Sequence, residues 1–186
     1  EDEARAYKKL YMEENPEMGE FFDHVASLTS SGQGLVETPG SQMLRLVHGK
    51  GAYPAGCNQH FQGPVAFGAC EALFYVSWEC YVDKGTALYG SRPQFFIHDE
   101  IVTAHPISKA DAASKRVAEI MCERLQRIFP HVPITETPAL MLRWQKDAEE
   151  YRGEEGKLLP WEYKCVNTLV AGLQAAWAPQ SLPIPK

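Results

Sequence analysis

Apolar residues recur at helical spacing from Glu3 to about Leu28, with Leu10, Met18, Phe21, Phe22, Val25 and Leu28 separated by acidic side chains. Asn15-Pro16 divides this stretch into two predicted helices, because the residue before a proline avoids the α region. Ser30 to Gly34 reads as a turn, Pro39-Gly40 as a second break, and the chain up to Tyr53 as connecting structure. The longest apolar stretch runs from about Asn58 to Val82 and includes Phe61, Val65, Phe67, Leu73, Phe74, Val76 and Trp78. It predicts a largely buried helix, or two helices broken near Pro64, ended by Asp83-Lys84-Gly85.

Two β-rich runs follow, Gln94-Phe95-Phe96-Ile97 and Ile101-Val102-Thr103-Ala104, with His98-Asp99-Glu100 between them. This is a strand-turn-strand pattern whose tip holds two carboxylates and an imidazole in place of the usual Gly, Asn or Pro. Ser108-Lys109-Ala110-Asp111 has the form of a capping box with Asp in place of Glu. It opens a predicted helix through Val117, Ile120, Met121, Leu125 and Ile128 that Phe129-Pro130 stops. Alternation from Val132 to Trp144 predicts strands that pair with the central hairpin, and Gly153 to Gly156 predicts a turn. A last amphipathic helix is predicted from Glu162 to Trp177. These elements together indicate an α+β fold, a small antiparallel sheet with helices on one face.

Composition narrows the chemistry. At 186 residues and 45% hydrophobic content the chain can bury a substantial core, and no apolar run approaches the ~20 residues that cross a bilayer. No membrane partner is expected, and the location expected is cytoplasmic. Five cysteines without a Cys-x-x-Cys pair support neither a zinc site nor a disulfide framework. A net charge of −6 argues against nucleic-acid binding by bulk electrostatics, so any such contact must be local. Cys57 and His60 lie at helical spacing, but no third group is evident to orient them as a nucleophile and base.

The order of three features, Asn58-x-x-x-Gln62-Gly63 opening an apolar helix, then His98-Asp99-Glu100 between strands, then Arg143-Trp144, resembles the C-terminal part of the palm of family A DNA polymerases, the bacterial polymerase I and phage replicative type. The resemblance spans about Ala4 to Trp161, and Arg143 to Glu149 with Leu159-Pro160-Trp161 is most like phage or phage-related members. It implies a fragment of a polymerase right-hand fold. Residues 1–52 would then be the end of the fingers and a connection, 53–150 a palm portion carrying the catalytic hairpin, and 151–186 a C-terminal hairpin and helix extension.

The implied activity is two-metal nucleotidyl transfer to a primer 3′-hydroxyl, with primer-template DNA and deoxynucleoside triphosphates as partners and a bacterial or phage-infected cell as the setting. The resemblance makes Asp99 the ligand of catalytic Mg2+, Glu100 a weaker or indirect metal partner, and His98 a contact to the sugar-phosphate of the primer end. Asn58 and Gln62, one helical turn apart, would donate to the minor-groove acceptors that every base pair presents.

The chain departs from the family where Pro54 stands in place of an arginine, and where Gly40-Ser41-Gln42-Met43-Leu44-Arg45 replaces a Gly-Arg-Arg segment. Arg45 and Lys50 are the candidates to supply that charge to DNA. The family's first catalytic aspartate and its nucleotide-binding fingers helix are not found in residues 1–186, so the isolated chain is expected to be inactive and to need an upstream part of the polymerase. Two other classes compete. One is a non-catalytic polymerase-like module that binds DNA or a protein. The other is a metal-dependent nuclease, for which Asp83, Asp111 and Glu119 form no supporting pattern.

Overall fold

A computed structural model describes residues 2–164. It is α+β, with two separate two-stranded antiparallel sheets packed against helices. The predicted helix from Glu162 to Trp177 lies outside the described residues except for its first turn, which begins at 161. No described helix is long and apolar enough to cross a membrane.

Two compact units divide the chain, the first comprising the described residues up to Glu71 together with Arg124–His131, the second Ala72–Glu123 and the described residues from Val132 onward. In the first unit, α1 (Asp2–Glu14) and α2 (Pro16–Thr29) meet at Asn15, as the proline predicts, with Pro16 at the first helical position where its missing N–H costs nothing. The segment read as connecting structure is instead a β-hairpin, β1 (Gln33–Thr38) paired with β2 (Met43–His48), Val36 opposite Arg45 and Leu35 opposite Leu46. Val36 and Val47 are buried with Ala52, while Leu35, Leu44 and Leu46 remain exposed. Apolar side chains on both faces hid the two-residue period that marks a strand. The turn between the strands uses Gly40 at φ 78° and Gln42 at φ 58°.

Helix α3 (Ala52–Tyr81) begins six residues before the predicted start and runs through Pro64 without a break. An interior proline costs ~3 kcal/mol. Here it is offset by packing, because Pro64 is fully buried, as are Ala72, Val76 and Cys80 along the helix. The helix is not largely buried, however: Phe61, Val65, Phe74 and Trp78 are 41–61% exposed. Its apolar residues surround the whole circumference, and these four find no core to enter. Small residues mark the places of closest approach. A Cβ at Gly56 would lie 2.9 Å from Val25 Cγ1, and one at Gly68 2.7 Å from Leu125 Cδ2 and 2.9 Å from Ile128 Cδ1.

In the second unit the core gathers Ala72, Val76, Cys80, Leu88, Ile101, Ala113, Val117 and Ile120, from the end of α3, strand β4 (Glu100–Ala104) and α4 (Ala110–Ile128). Strand β3 (Arg92–Ile97) pairs antiparallel with β4, with a register shift between Pro93 and Phe95 that leaves Gln94 unpaired. Phe96, opposite Ile101, packs on the core.

Helix α4 starts after a short 3-10 turn (Ile107–Lys109) and ends before Phe129-Pro130 as predicted. The capping-box reading fails at Asp111, whose Oδ1 accepts the Leu158 backbone N–H at 2.7 Å while Oδ2 pairs with Lys115 at 3.0 Å. These partners outweigh the desolvation that pushes its pKa up, and hold the carboxyl below its ordinary range. The strands predicted from Val132 to Trp144 do not form. That segment makes only an isolated bridge from Leu140 to Pro160, and β3–β4 stays a two-stranded sheet. Pro133 and Pro138 lack the N–H a ladder needs.

Candidate functional site

The hairpin tip in the second unit follows from its register. Ile97 opposite Glu100 leaves a two-residue turn, His98-Asp99, and such a turn matches the strand twist only when φ is positive at its first central position or at both. His98 adopts φ 53° and Asp99 does not share that sign, so the left-handed position falls on the imidazole residue. A left-handed conformation costs a side-chain-bearing residue roughly 1–2 kcal/mol. Histidine, like Asn and Asp, tolerates it better than most. Both His98 and Asp99 project into solvent.

Asp99 makes no side-chain hydrogen bond or ion pair with another described residue, so its carboxylate oxygens face water. Glu100 is also exposed, but its Oε1 accepts a long hydrogen bond, 3.4 Å, from the Trp144 indole N–H. The Trp144 ring meets Phe95 edge-on with centroids 5.7 Å apart. Trp144 thus brackets the hairpin, touching one strand with its ring and the other with its N–H. The backbone just before Trp144 is held by Glu162, whose carboxylate accepts the Leu142 N–H at 3.0 Å. The contact that strand pairing was expected to provide comes from an indole instead. Trp161 serves the same segment through its backbone N–H on Leu140 O at 2.8 Å.

Among the described residues no group of three or more His, Cys, Asp or Glu side chains could hold a metal ion. The chemistry of the hairpin donors suits a hard cation nonetheless, since magnesium takes few oxygen ligands from protein and keeps water and phosphate oxygens for the rest. Asp99 offers an unengaged carboxylate, and Glu100 offers one partly committed to Trp144.

In the first unit Asn58 and Gln62 are both exposed on α3, and Asn58 Nδ2 donates to Gln62 Oε1 at 2.9 Å. They share a face as their spacing predicts. Arg45 is exposed on β2, and its Nη1 donates to Gln59 Oε1 at 2.9 Å. Gln59 is buried and donates through Nε2 to the buried Thr38 hydroxyl. Sequence reading passed over Gln59, although a glutamine beside Asn58 in an apolar helix is itself a polar residue that must find partners. Cys57 and His60 form no dyad: His60 Nδ1 lies 3.0 Å from Gly56 O and its ring stands edge-on to Phe21. His24 and His60 help line an open cleft of about 460 Å³, to which none of the sequence-predicted site residues contributes.

Near the base of β3–β4, His105 joins the two strand ends. Its Nε2 lies 2.7 Å from Thr103 Oγ1 and its Nδ1 3.0 Å from Ser91 Oγ. Burial, then the positive charge of Lys109, lowers its pKa to about 4. The ring is neutral at pH 7 and braces the hairpin from which Asp99 projects. Comparison of the chain with family models, curated proteins and solved structures finds no match.

Proposed function

We propose that this chain contributes the carboxylate-bearing hairpin and a duplex-facing helix to a DNA-directed DNA polymerase of the family A type, with the remaining carboxylate and the nucleotide-binding elements supplied from outside it. The observation that carries the reading is Asp99: an unengaged carboxylate at the solvent-exposed tip of a two-residue turn, flanked by His98 and Glu100.

The residues divide the work by their chemistry. Among the described residues no side chain pairs with the Asp99 carboxylate, which suits a hard cation. Asp99, together with a carboxylate outside this chain, would hold Mg2+, and the chemistry supplied there would be Lewis-acid stabilisation of developing negative charge on oxygen. Glu100 assists less directly, because Trp144 N–H draws on its Oε1. His98, held at the tip by the turn, donates to the sugar-phosphate of the primer end. Asn58 and Gln62 present amide groups from one face of α3 to minor-groove acceptors, which tests base-pair geometry without reading sequence.

The test is Asp99→Ala in the polypeptide that also carries the second carboxylate and the nucleotide-binding helix. Removing a metal ligand forfeits several kcal/mol of charge stabilisation, and about 4 kcal/mol corresponds to roughly a 10³-fold slower incorporation of nucleotide. A rate within about threefold of wild type excludes the catalytic assignment and leaves a DNA- or protein-binding module.

A further inference from the structure

We propose that Gln59 is the positioning residue of the first unit's DNA-facing surface, holding the Arg45 guanidinium in place beside the exposed amides of Asn58 and Gln62. The proposal rests on the reading of this surface as a duplex contact and deepens it, by naming what aims its cation.

Arginine only donates, so the oxygen of Gln59 must face Arg45, at 2.9 Å from Nη1. That leaves the Gln59 NH2 facing Thr38, whose hydroxyl accepts from it. Two partners of opposite character therefore fix the amide in one orientation. Thr38 is 2% exposed and Gln59 9%, so neither can trade its partner for bulk water.

Arg45 stands opposite the buried Val36 in the β1–β2 ladder, and its stem leaves the hairpin on the face that carries Val36 and Val47 before its head reaches solvent. Without an acceptor at Gln59 this long side chain would sample many rotamers. With it, the guanidinium is ordered next to α3, and Asn58 and Gln62 lie one residue before and three residues after its anchor.

Gly63 completes the device. A Cβ there would lie 2.6 Å from Gln59 Nε2 and 2.9 Å from Thr38 Cγ2, so the glycine after Gln62 is the space into which the Gln59 amide fits. The ligand this surface suits is the minor-groove edge of a nucleic-acid duplex with its phosphates. It offers acceptors to the donors of Arg45, Asn58 and Gln62, and negative charge to one ordered cation in a chain of net charge −6.

Two readouts on the full chain test this. The first needs no DNA: ¹⁵N relaxation of the Arg45 Nε–Hε group. It should report an ordered side chain in the wild type and in Gln59→Glu, which retains an acceptor, and a mobile one in Gln59→Leu and Gly63→Ala. The second is binding of a short primer-template duplex by fluorescence anisotropy across a salt series. Gln59→Leu and Gly63→Ala should each weaken binding about fivefold to tenfold and lower the salt slope by about one, matching Arg45→Ala, with the Arg45→Ala/Gln59→Leu double variant no weaker than Arg45→Ala.

An Arg45 signal unchanged in Gln59→Leu, or losses that multiply in the double variant, would overturn the positioning role. Failure of the wild-type chain to bind duplex at low salt overturns the duplex reading itself, while the relaxation result still decides whether Gln59 orders Arg45.

Discussion

Arg116 ties α4 to the end of α3 in the second unit, and its removal should destabilise that unit. From α4 its Nη2 lies 2.7 Å from Glu79 Oε1 on α3, and its Nε lies 3.1 Å from Oε2, a two-pronged grip on one carboxylate. Nη1 reaches Glu119 at 3.1 Å and Glu123 at 3.2 Å. Its hydrogen bonds to Glu79 lead the influences that raise the guanidinium pKa, with Glu119 and Glu123 contributing less.

The exposures decide how much this is worth. Glu119 and Glu123 are 61% and 47% exposed, so their pairs with Arg116 contribute ~0–1 kcal/mol each. Glu79 is only 10% exposed at its side chain, and breaking a buried pair by deleting one partner costs about 3–5 kcal/mol. Arg116 is itself 29% exposed, which lets water reach the site and lowers the expectation for Arg116→Met to about 2–3 kcal/mol. For a chain of this size that is a fall of roughly 5–10 °C in Tm.

The assay is urea unfolding at pH 7, followed by circular dichroism, of Arg116→Met, Glu79→Leu and the double variant. Because the main term is an orphaned carboxylate, the double variant should recover most of the loss, to within about 1 kcal/mol of wild type. A deficit below ~0.5 kcal/mol in Arg116→Met, or a double variant as unstable as the sum of the singles, refutes the reasoning.

Two further outcomes concern the hairpin. His105 is depressed to about 4 in the folded chain against 6.5 for an ordinary histidine, so the unfolded chain takes up the proton first. Its contribution is therefore complete above about pH 6.5 and is lost as pH falls from there to about 4, by ~1–2 kcal/mol once its partial exposure is discounted. His105→Gln should flatten the dependence of the unfolding midpoint on pH across that window, and parallel profiles for variant and wild type would contradict it. At the tip, His98→Gly relieves a left-handed φ of 53° at some cost in chain entropy, for a net gain of about 0.5–1 kcal/mol in denaturant unfolding. The same substitution should slow primer extension by the complete enzyme if His98 serves the primer end. A variant both less stable and fully active sinks the assignment of strain to function.

How much was legible depended on whether a residue's partners lay near it in sequence. The Asn15-Pro16 break and the end of α4 at Phe129-Pro130 are set by local backbone chemistry, and each stands where the pattern puts it. The central hairpin stands there too, but its turn is two residues, His98-Asp99, and Glu100, which the pattern puts at the tip, is the first residue of β4. Pro64 predicted a break that α3 does not show, because packing along thirty residues outweighs one lost hydrogen bond. Asp111 was assigned to the start of its own helix, but its carboxylate went to Leu158, a partner 47 residues away that no capping pattern anticipates. Val132 to Trp144 alternates without pairing, since its prolines interrupt any ladder and Trp144 reaches the hairpin through its side chain instead.

Reading Gln33 to His48 as connecting structure removed the surface on which α3 packs, and with it any reason to ask where Gln59 points. On a helix read by itself, Asn58 and Gln62 share a face and Gln59 is an ordinary neighbour. Once β1 and β2 are in place, Thr38 and Arg45 enter from the hairpin as an acceptor and a donor, and the Gln59 amide meets both, donating to Thr38 and accepting from Arg45. Arg45 then ceases to be an unaligned charge on a loop and becomes a fixed one. A one-residue slip in the β1–β2 pairing would move Arg45 to the face of Leu44 and Leu46, away from Gln59.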